Sequence, residues 1–393
     1  MYFITGFFSL VKERVESMED RHILFGLQEM DGIGRKTIRR WMTSGNLLSD
    51  MLKYETQDWI QSGLSAAKAA VMKECFHESF IYEKLELLHK ERIEIVTYYD
   101  KEYPILLKET ADPPWVLYIK GNASLLHKPS IAMVGTRVPT GYGKKVGEVF
   151  ASQLCKAGYT IVSGLARGID SVCHEAAIRA DGLTIAVLGA GLSHIYPAEN
   201  HALASRIASS GLLVSEYPIH QKPRPGLFPE RNRIIAGLSL GTLVVEADLR
   251  SGSLITADAA LEAGRDVFAI PGPITSPKSH GTLNLIKQGA ALVTKVEDIT
   301  DEYKHVMNFA REDKPEQTGV HPEALLSASQ QELIPELTEE ERKVVDLLEA
   351  GPMTLDDFVD RLHLDFGHLH SVLLSLIIKK QIIQLPGAIY KLI

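Results

Sequence analysis

Residues 131–188 have the sequence IAMVGTRVPTGYGKKVGEVFASQLCKAGYTIVSGLARGIDSVCHEAAIRADGLTIAVL, and this stretch decides the fold class. It contains three short apolar runs, at residues 131–134, 160–163 and 184–188. Most of the runs do not alternate between polar and apolar residues, so both faces of each predicted strand should be covered, as in a parallel sheet between helices. Segments with helical periodicity separate them, at residues 143–157 and 171–180. Strands that alternate with helices predict a doubly wound α/β domain.

The same alternation continues towards the C-terminus. Three more apolar runs follow, at residues 212–215, 242–246 and 266–270. Two further helical segments lie at residues 198–209 and 253–263. We therefore predict a Rossmann-like parallel sheet within residues 101–305.

A small helical domain is predicted before the sheet, at residues 18–100. Its turn Asp31-Gly32-Ile33-Gly34 is typical of a helix-hairpin-helix. Glycines in such a turn leave backbone amides free to meet a phosphate, although the same turn also serves as a plain packing unit. Both interpretations stay open. Residues 1–17 are assigned no structure, because Met18 is the more natural start and the apolar segment before it does not resemble a signal peptide.

A second small domain is predicted after the sheet. Residues 306–335 are polar with scattered prolines, which is typical of a linker. Residues 336–393 then contain three helical segments and a short apolar hairpin, and Thr338 with Glu341 forms a capping box at the start of the first helix. This order of elements predicts a winged helix.

Composition places the chain among soluble globular proteins. Of its 393 residues 45% are hydrophobic and 23% charged, and no apolar stretch approaches the roughly 20 residues of a membrane helix. The three cysteines show no metal-ligand spacing, which fits reduced thiols in the cytoplasm. The net charge of −8 is unevenly distributed, because residues 111–300 carry +3 and the remainder carries −11. A partner with phosphates would have to meet the basic middle.

The carboxyl ends of the predicted strands carry glycines and cations. A ligand of an open doubly wound sheet is expected at these ends. Five arginines recur there, namely Arg137, Arg167, Arg224, Arg231 and Arg233. Glycines alone would suit any strand-to-helix turn, but so many arginines indicate that an anion binds. Neither GxGxxG at the first strand nor GxxxxGK[ST] anywhere is present, which favours a polynucleotide over a dinucleotide or ATP.

The long loop after the fourth predicted strand, residues 212–215, contains Lys222 and an aromatic residue, Phe228. A basic loop with an interleaved ring suits a single strand, because the charges follow the phosphates and the ring stacks on a base. Phe228 could equally be an anchor that packs its loop onto the sheet.

Six ordered motifs occur in this region. They are MVGTRVPTGYG at 133–143, SGLARGIDSVCHEAA at 163–177, LGAGLSHIYPAEN at 188–200, FPERNRIIAGLS at 228–239, VVEADLRSGSLITA at 244–257 and PGP at 271–273. Together they resemble the DprA/Smf DNA-processing family. The match runs through residues 100–300. Many members of that family also have a helical N-terminal domain and a C-terminal winged helix, as is predicted for the flanks here.

The resemblance implies a protein that binds incoming single-stranded DNA in natural transformation, displaces single-strand-binding protein, loads the RecA recombinase and forms a homodimer. It implies no catalytic residue, no cofactor and no metal. By motif position, Arg137 would contact a phosphate. The other residues that carry over to the DNA site are Ser163, Gly164, Arg167, Phe228, Arg231, Asn232 and Arg233, with Lys222 and Arg224 in a more variable lead-in.

Two other classes of function compete with this interpretation. Phosphoribohydrolases with a related fold have a PGGxGTxxE pattern, but Glu246 here lies one residue too far from Gly241-Thr242 and is expected to orient Arg or Ser side chains instead. A transcription regulator would use the third winged-helix segment, residues 366–380. That segment contains histidines and lysines but no arginine. It therefore offers few side chains suited to contact base edges.

Overall fold

The computed structural model describes residues 18–45, 47–305, 338–348 and 351–362, followed by residues 369, 372–373, 375–376, 379, 381–385 and 389–392. The chain divides into two compact units, Met1–Pro315 and Glu316–Ile393. The segment 1–17 and the predicted linker 306–335 lie outside the described residues. Within the described ranges, no helix has both the length and the apolar character to cross a bilayer.

A nine-stranded sheet forms the centre of the first unit. Its strands are β1 (Glu94–Thr97), β2 (Val116–Gly121), β3 (Ser130–Val134), β4 (Thr160–Ser163), β5 (Thr184–Leu188), β6 (Leu212–Ser215), β7 (Gly241–Val244), β8 (Asp266–Ala269) and β9 (Ala291–Leu292). Their spatial order is β1-β2-β6-β5-β4-β3-β7-β8-β9. Strands β3 to β9 pair in parallel, and β1 and β2 extend one edge in antiparallel pairing. The prediction of a doubly wound sheet is confirmed.

The topological switch point lies between β3 and β7. From β3 the chain adds β4, β5 and β6 in one direction and then returns to add β7 and β8 on the other side. Ile131 of β3 accordingly faces both Ile161 of β4 and Gly241 of β7. Loops that leave β3 and β7 diverge at this point, so a crevice opens at the carboxyl ends of the two strands.

Fourteen α-helices are described in this unit. In chain order α1 to α14 span Asp20–Glu29, Arg35–Thr43, Leu48–Met51, Thr56–Gln61, Ala66–Cys75, Glu78–Lys90, Ile105–Lys108, Gly141–Lys156, Ile169–Arg179, His201–Ser210, Leu227–Gly237, Gly252–Glu262, Pro277–Lys287 and Glu297–Thr300. Helices α8 and α9 pack with Ile131 and Met133 on one face of β3. Helices α11 and α12 pack with Ala132 and Val134 on the other face. This two-sided burial explains the uninterrupted apolar runs.

The N-terminal helices α1 to α6 share a hydrophobic core with the sheet. Trp41 and Trp59 pack with ring centroids 5.5 Å apart inside this helical region, and Phe25 of α1 meets Tyr118 of β2 edge-on at 6.0 Å. The sheet begins at β1, upstream of residue 101. The sequence patterns did not predict β1, β2 or β9, because these strands are antiparallel or exposed and no strand-to-helix repeat marks them.

The second unit contains α15 (Glu339–Leu348), β10 (Met353–Thr354), α16 (Leu355–Leu362), β11 (Ile382–Leu385) and β12 (Ile389–Leu392). The strands form a sheet of order β10-β12-β11. The predicted capping box is confirmed, since the amide of Thr338 donates to Glu341 at 2.7 Å and the amide of Glu341 donates to Thr338 at 3.2 Å. Most of the predicted third helix, residues 366–380, lies outside the described residues. The elements that are described agree with the predicted winged helix.

Candidate nucleic-acid interface

A cavity of about 690 Å³ lies at the carboxyl ends of β3 and β7, at the switch point. Four cationic and two acidic side chains are among its lining residues: Arg137, Arg231, Arg250, Lys278, Asp170 and Asp248. Its volume falls within the range of about 300–1,000 Å³ that is typical of small-ligand sites. A smaller cavity of about 60 Å³ adjoins it and shares Arg137, Phe228 and Arg231.

Arg137 lies at the mouth of both cavities, on the loop after β3. Backbone hydrogen bonds fix the loop, since the amide of Thr136 donates to the carbonyl of Glu246 at 2.7 Å and the amide of Ile169 donates to the carbonyl of Thr136 at 3.2 Å. Gly168 passes against this loop with φ +81°, and a Cβ there would strike the Thr136 carbonyl oxygen. The exposed Arg137 side chain forms no ion pair with a described carboxylate. Its guanidinium is therefore available to an anion.

Arg231 lies beneath the cavity, where only 5% of the residue is exposed. Its Nη1 donates to the carbonyl of Gly164 at 2.5 Å and also to the carbonyl of Val187. These bonds tie helix α11 to the ends of β4 and β5. Burial lowers the pKa of Arg231, and the nearby charge of Asp170 opposes this effect. Arg231 thus shapes the floor of the site and places a buried positive charge under it.

Ser163 and Gly164 support that floor, and of the two only Gly164 lines a cavity, the smaller one. The Ser163 hydroxyl is fully buried and donates to the carbonyl of Met133 at 2.6 Å. A Cβ at Gly164 would overlap the Arg231 guanidinium, so glycine is required for the close approach. The Asp170 carboxylate accepts a hydrogen bond from the Gly164 amide at 3.1 Å. Burial raises the pKa of Asp170, and Arg231 partly offsets that rise.

Phe228 lines both cavities at the start of α11. Its ring packs against Tyr196 with centroids 5.3 Å apart and planes inclined by 40°. A Cβ added at Gly189 would come within 2.7 Å of the same ring. The half-buried ring therefore anchors its loop and also presents part of its surface at the mouth of the site. Both roles predicted for Phe228 are compatible with this position.

Arg233 faces away from the cavity. Its Nη2 donates to both carboxylate oxygens of Glu216 at 2.5 Å, and its Nη1 donates to the carbonyl of Asp112 at 2.7 Å. Arg35, from the helix-hairpin-helix turn, joins the same cluster through a 2.7 Å bond from its Nε to Asp112. The two arginines of the FPERNRIIAGLS motif thus lie in different environments, although the sequence placed them at one rim.

The other predicted residues surround the cavity at different distances. Asn232 lines it and donates to the Gly252 carbonyl at 3.4 Å. Arg167 is exposed, lines the smaller cavity and pairs with Glu199 at 2.9 Å. Lys222 is exposed in the loop before α11. Arg224 lines a separate cavity of about 600 Å³ beside the helix-hairpin-helix turn.

Two buried polar residues outside the larger cavity, Glu246 and His174, have structural partners. Glu246, 3% exposed, accepts hydrogen bonds from the amide and hydroxyl of Thr140 at 2.9 and 2.6 Å. It therefore holds the start of α8, whereas the sequence suggested an Arg or Ser partner. His174 is bonded through Nδ1 to Thr184 at 2.7 Å, and burial lowers its pKa to about 3. Among the described residues, no group of His, Cys, Asp and Glu side chains could hold a metal ion.

Comparison with known proteins identifies the family. The model of the family "DNA recombination-mediator protein A" matches residues 94–304, and that of the "DprA winged helix domain" matches residues 316–388. The chain belongs to the DNA recombination-mediator protein A family. The predicted resemblance to DprA/Smf proteins is thereby confirmed.

Relatives in this family come from several bacteria. The DNA processing protein DprA of Bacillus subtilis is 44% identical over 262 residues, which cover 66% of this chain and 86% of that protein. Protein Smf of Synechocystis is 37% identical over 335 residues, 79% of this chain and 83% of the relative. The X-ray structure of DNA processing protein A from Streptococcus pneumoniae matches with a TM-score of 0.64 and 36% identity, over 73% of this chain and 98% of that one.

Several cavity residues of this family member were absent from the predicted site. Arg250 and the segment 251–253 follow β7, and Lys278 opens the helix after β8. A signal for the first group existed, because Arg250-Ser251-Gly252-Ser253 follows a predicted strand at the ligand-binding end of the sheet. Lys278 has no comparable signal in the sequence, because it is a single lysine seven residues after Pro271, the first residue of the PGP motif.

One described lysine of the winged helix is engaged within its own unit. Lys379, one of the lysines noted in the third segment, donates to Glu341 at 2.6 Å and is 24% exposed at the side chain. Its hydrogen bond, together with one from Ser375, lowers the pKa of Glu341 well below its usual range, against the effect of burial. Lys379 therefore supports the winged-helix fold through the capping-box residue.

Proposed function

We propose that this chain binds single-stranded DNA at the switch-point cavity. The observation that carries the proposal is unpaired positive charge. Arg137, Arg250 and Lys278 line the cavity, and none of them forms an ion pair with a described carboxylate. Because side chains of this kind attract phosphates, they favour a nucleic-acid backbone as the ligand.

The aromatic pair at the mouth favours a single strand. Tyr196 is 51% exposed and packs on the half-buried Phe228, so ring surface lies beside the cationic residues. Unpaired bases stack on such rings with a gain of about 1–3 kcal/mol each, whereas a duplex keeps its bases stacked internally. Two further cations are exposed, Lys222 in the loop before α11 and Arg167 beside the smaller cavity, where it pairs with Glu199. We propose that they extend the surface to suit a polymer.

A nucleotide-processing enzyme is the alternative. The carboxylates that line the cavity are already engaged, since Asp170 accepts from two backbone amides and Asp248 accepts from the Leu249 amide. Glu246 holds Thr140 and does not line the cavity. Incubation with nucleoside monophosphates followed by chromatography tests this alternative, and release of free base would support it.

Family membership supports the wider role that we propose. The matched family is described as a recombination mediator, and a mediator must pass its strand to a recombinase. We therefore propose that a cytoplasmic homodimer protects incoming single-stranded DNA, displaces single-strand-binding protein and loads RecA, without catalysing a reaction of its own.

Fluorescence anisotropy with single-stranded and duplex oligonucleotides of equal length tests the DNA-binding proposal. The full-length chain is expected to bind the single strand more tightly than the duplex. A plot of the logarithm of the binding constant against the logarithm of the salt concentration should have a slope of roughly −0.7 for each phosphate that the protein neutralises. Arg137→Gln should make this slope shallower by about 0.7, the value for one phosphate on a single strand. Arg206→Gln is the matched control, because Arg206 is exposed on α10, away from the cavity. Equal affinity for both forms, or an Arg137→Gln variant that binds like the wild type, would count against the proposal.

A further inference from the structure

The cavity has a second cationic wall, which comes from the elements after β7 and β8. Arg250 is exposed on the loop that leads into α12. Lys278, near the start of α13, points its Nζ to within 3.5 Å of the Thr136 hydroxyl, beside Arg137. The parallel sheet thus brings Arg250 and Lys278 to the cavity that Arg137 lines, although both follow Arg137 by more than one hundred residues.

The start of helix α12 lies in the same wall. Ser251 caps this eleven-residue helix by accepting a hydrogen bond from the Ser253 amide at 3.4 Å. The amide of Gly252 has no acceptor among the described residues. A Cβ at Gly252 would have no heavy atom within 4 Å, so the backbone there is open to a ligand. Free amides at a helix start, together with the helix dipole, attract an anion.

An independent observation points to an anion at this place. Arg231, 5% exposed, lines the cavity and forms no ion pair with a described carboxylate. Its Nε is buried and has no hydrogen-bond partner among the described residues. A buried cation is costly unless a counter-charge is near, and the nearby Asp170 forms no ion pair with Arg231. A phosphate in the cavity would supply such a charge.

We propose that Arg250, Lys278 and the amide of Gly252 form a phosphate subsite of the cavity, distinct from the contact made by Arg137. This inference rests on the proposed function, because the phosphate would belong to the bound single strand. The strand would then cross the switch point and meet both walls. The surfaces after β3 and after β7 would act together, and neither alone would account for the affinity.

Charge-removing variants of the full-length chain test the subsite. The probe is a fluorescein-labelled oligothymidylate, and anisotropy is measured over a range of salt concentrations. The double variant Arg250→Gln/Lys278→Gln should lose on the order of ten-fold in affinity. Its salt slope should flatten by about 0.7, the value for one phosphate on a single strand. Lys287→Gln is the matched control, since Lys287 is an exposed lysine at the other end of α13.

A second variant removes the amide without changing any charge. Gly252→Pro deletes the N–H at the first helical position, where proline is well accepted. Ser251 already has φ −71° and ψ 135°, which suits a residue before proline. The variant should keep its thermal stability and lose about ten-fold in affinity, with the salt slope unchanged.

The outcomes separate the two proposals. If the double variant and Gly252→Pro both bind like the wild type while Arg137→Gln binds weakly, the subsite is overturned and DNA binding stands. If the wild type itself does not bind the oligothymidylate, the proposed function fails, and the subsite fails with it. A Lys287→Gln variant as weak as the double variant would show a general charge effect and would also overturn the subsite.

Discussion

At the scale of single residues, Phe228 combines packing with a predicted stacking contact. Phe228→Ala should cost about 1–3 kcal/mol in single-strand affinity and leave the salt slope nearly unchanged, because a stacked ring releases no counterions. Phe228→Leu is the matched variant, since leucine keeps apolar contact with Gly189 and Tyr196 but lacks the flat face. Anisotropy should show both variants weakened. If the leucine variant binds normally and only the alanine variant is weak and unstable, the ring is an anchor alone.

Arg231 should affect folding more than Arg137 does. Arg231→Met removes the donor to the carbonyls of Gly164 and Val187, and each orphaned buried group costs about 1–3 kcal/mol. The melting temperature should fall clearly. Arg137→Met, at an exposed residue, should change the free energy of unfolding by about 0.5 kcal/mol or less. Circular dichroism melts of both variants decide the matter, and equal stability would show that Arg231 is no structural support.

At the scale of elements, helix α11 is held from two sides. Arg231 ties it to β4 and β5, while Arg233 ties it to Glu216 in the loop after β6. Arg35 reaches the same cluster from α2, with Nη1 bonded to Glu230 at 2.8 Å. The helix-hairpin-helix turn therefore has a packing role through Arg35. Whether its amides also meet DNA stays a prediction.

This cluster yields a prediction about α11. Glu216→Gln removes a carboxylate that is 3% exposed at the side chain and leaves the largely buried Arg233 without the carboxylate that accepts its Nη2 bonds. Loss of one partner of a buried pair costs roughly 3–5 kcal/mol. Glu230→Gln, at a side chain 48% exposed, should cost about 0–1 kcal/mol. Hydrogen exchange across residues 227–237 should rise in the first variant only, and equal protection in both would contradict the assignment.

At the scale of the whole molecule, the chain joins the α/β unit, in which we propose the DNA site, to a winged helix. A polymeric ligand can engage several such sites at once, so a homodimer would gain avidity without any new contact. Light scattering at micromolar concentration should therefore give a mass above that of a monomer. A strictly monomeric protein with undiminished affinity for long single strands would remove this prediction.

The sequence by itself determined the strands β3 to β8 and the end of the sheet at which we propose that a ligand binds. Doubly buried strands leave uninterrupted apolar runs, and strand-to-helix turns leave glycines, so both are visible in the linear pattern. The six motifs determined the family in the same way. The edge strands β1 and β9 left no such signal, because they are short and at least partly exposed.

Only the tertiary structure decided which cations face the cavity. Arg231 and Arg233 stand two residues apart on α11, and a helix turns by roughly 200° over that interval, so one meets the cavity and the other meets Glu216. Arg250 and Lys278 reach the site from separate elements because β7 pairs with β3 and β8 pairs with β7. Side-chain direction and strand order are properties of the packed molecule, and a linear pattern does not contain them.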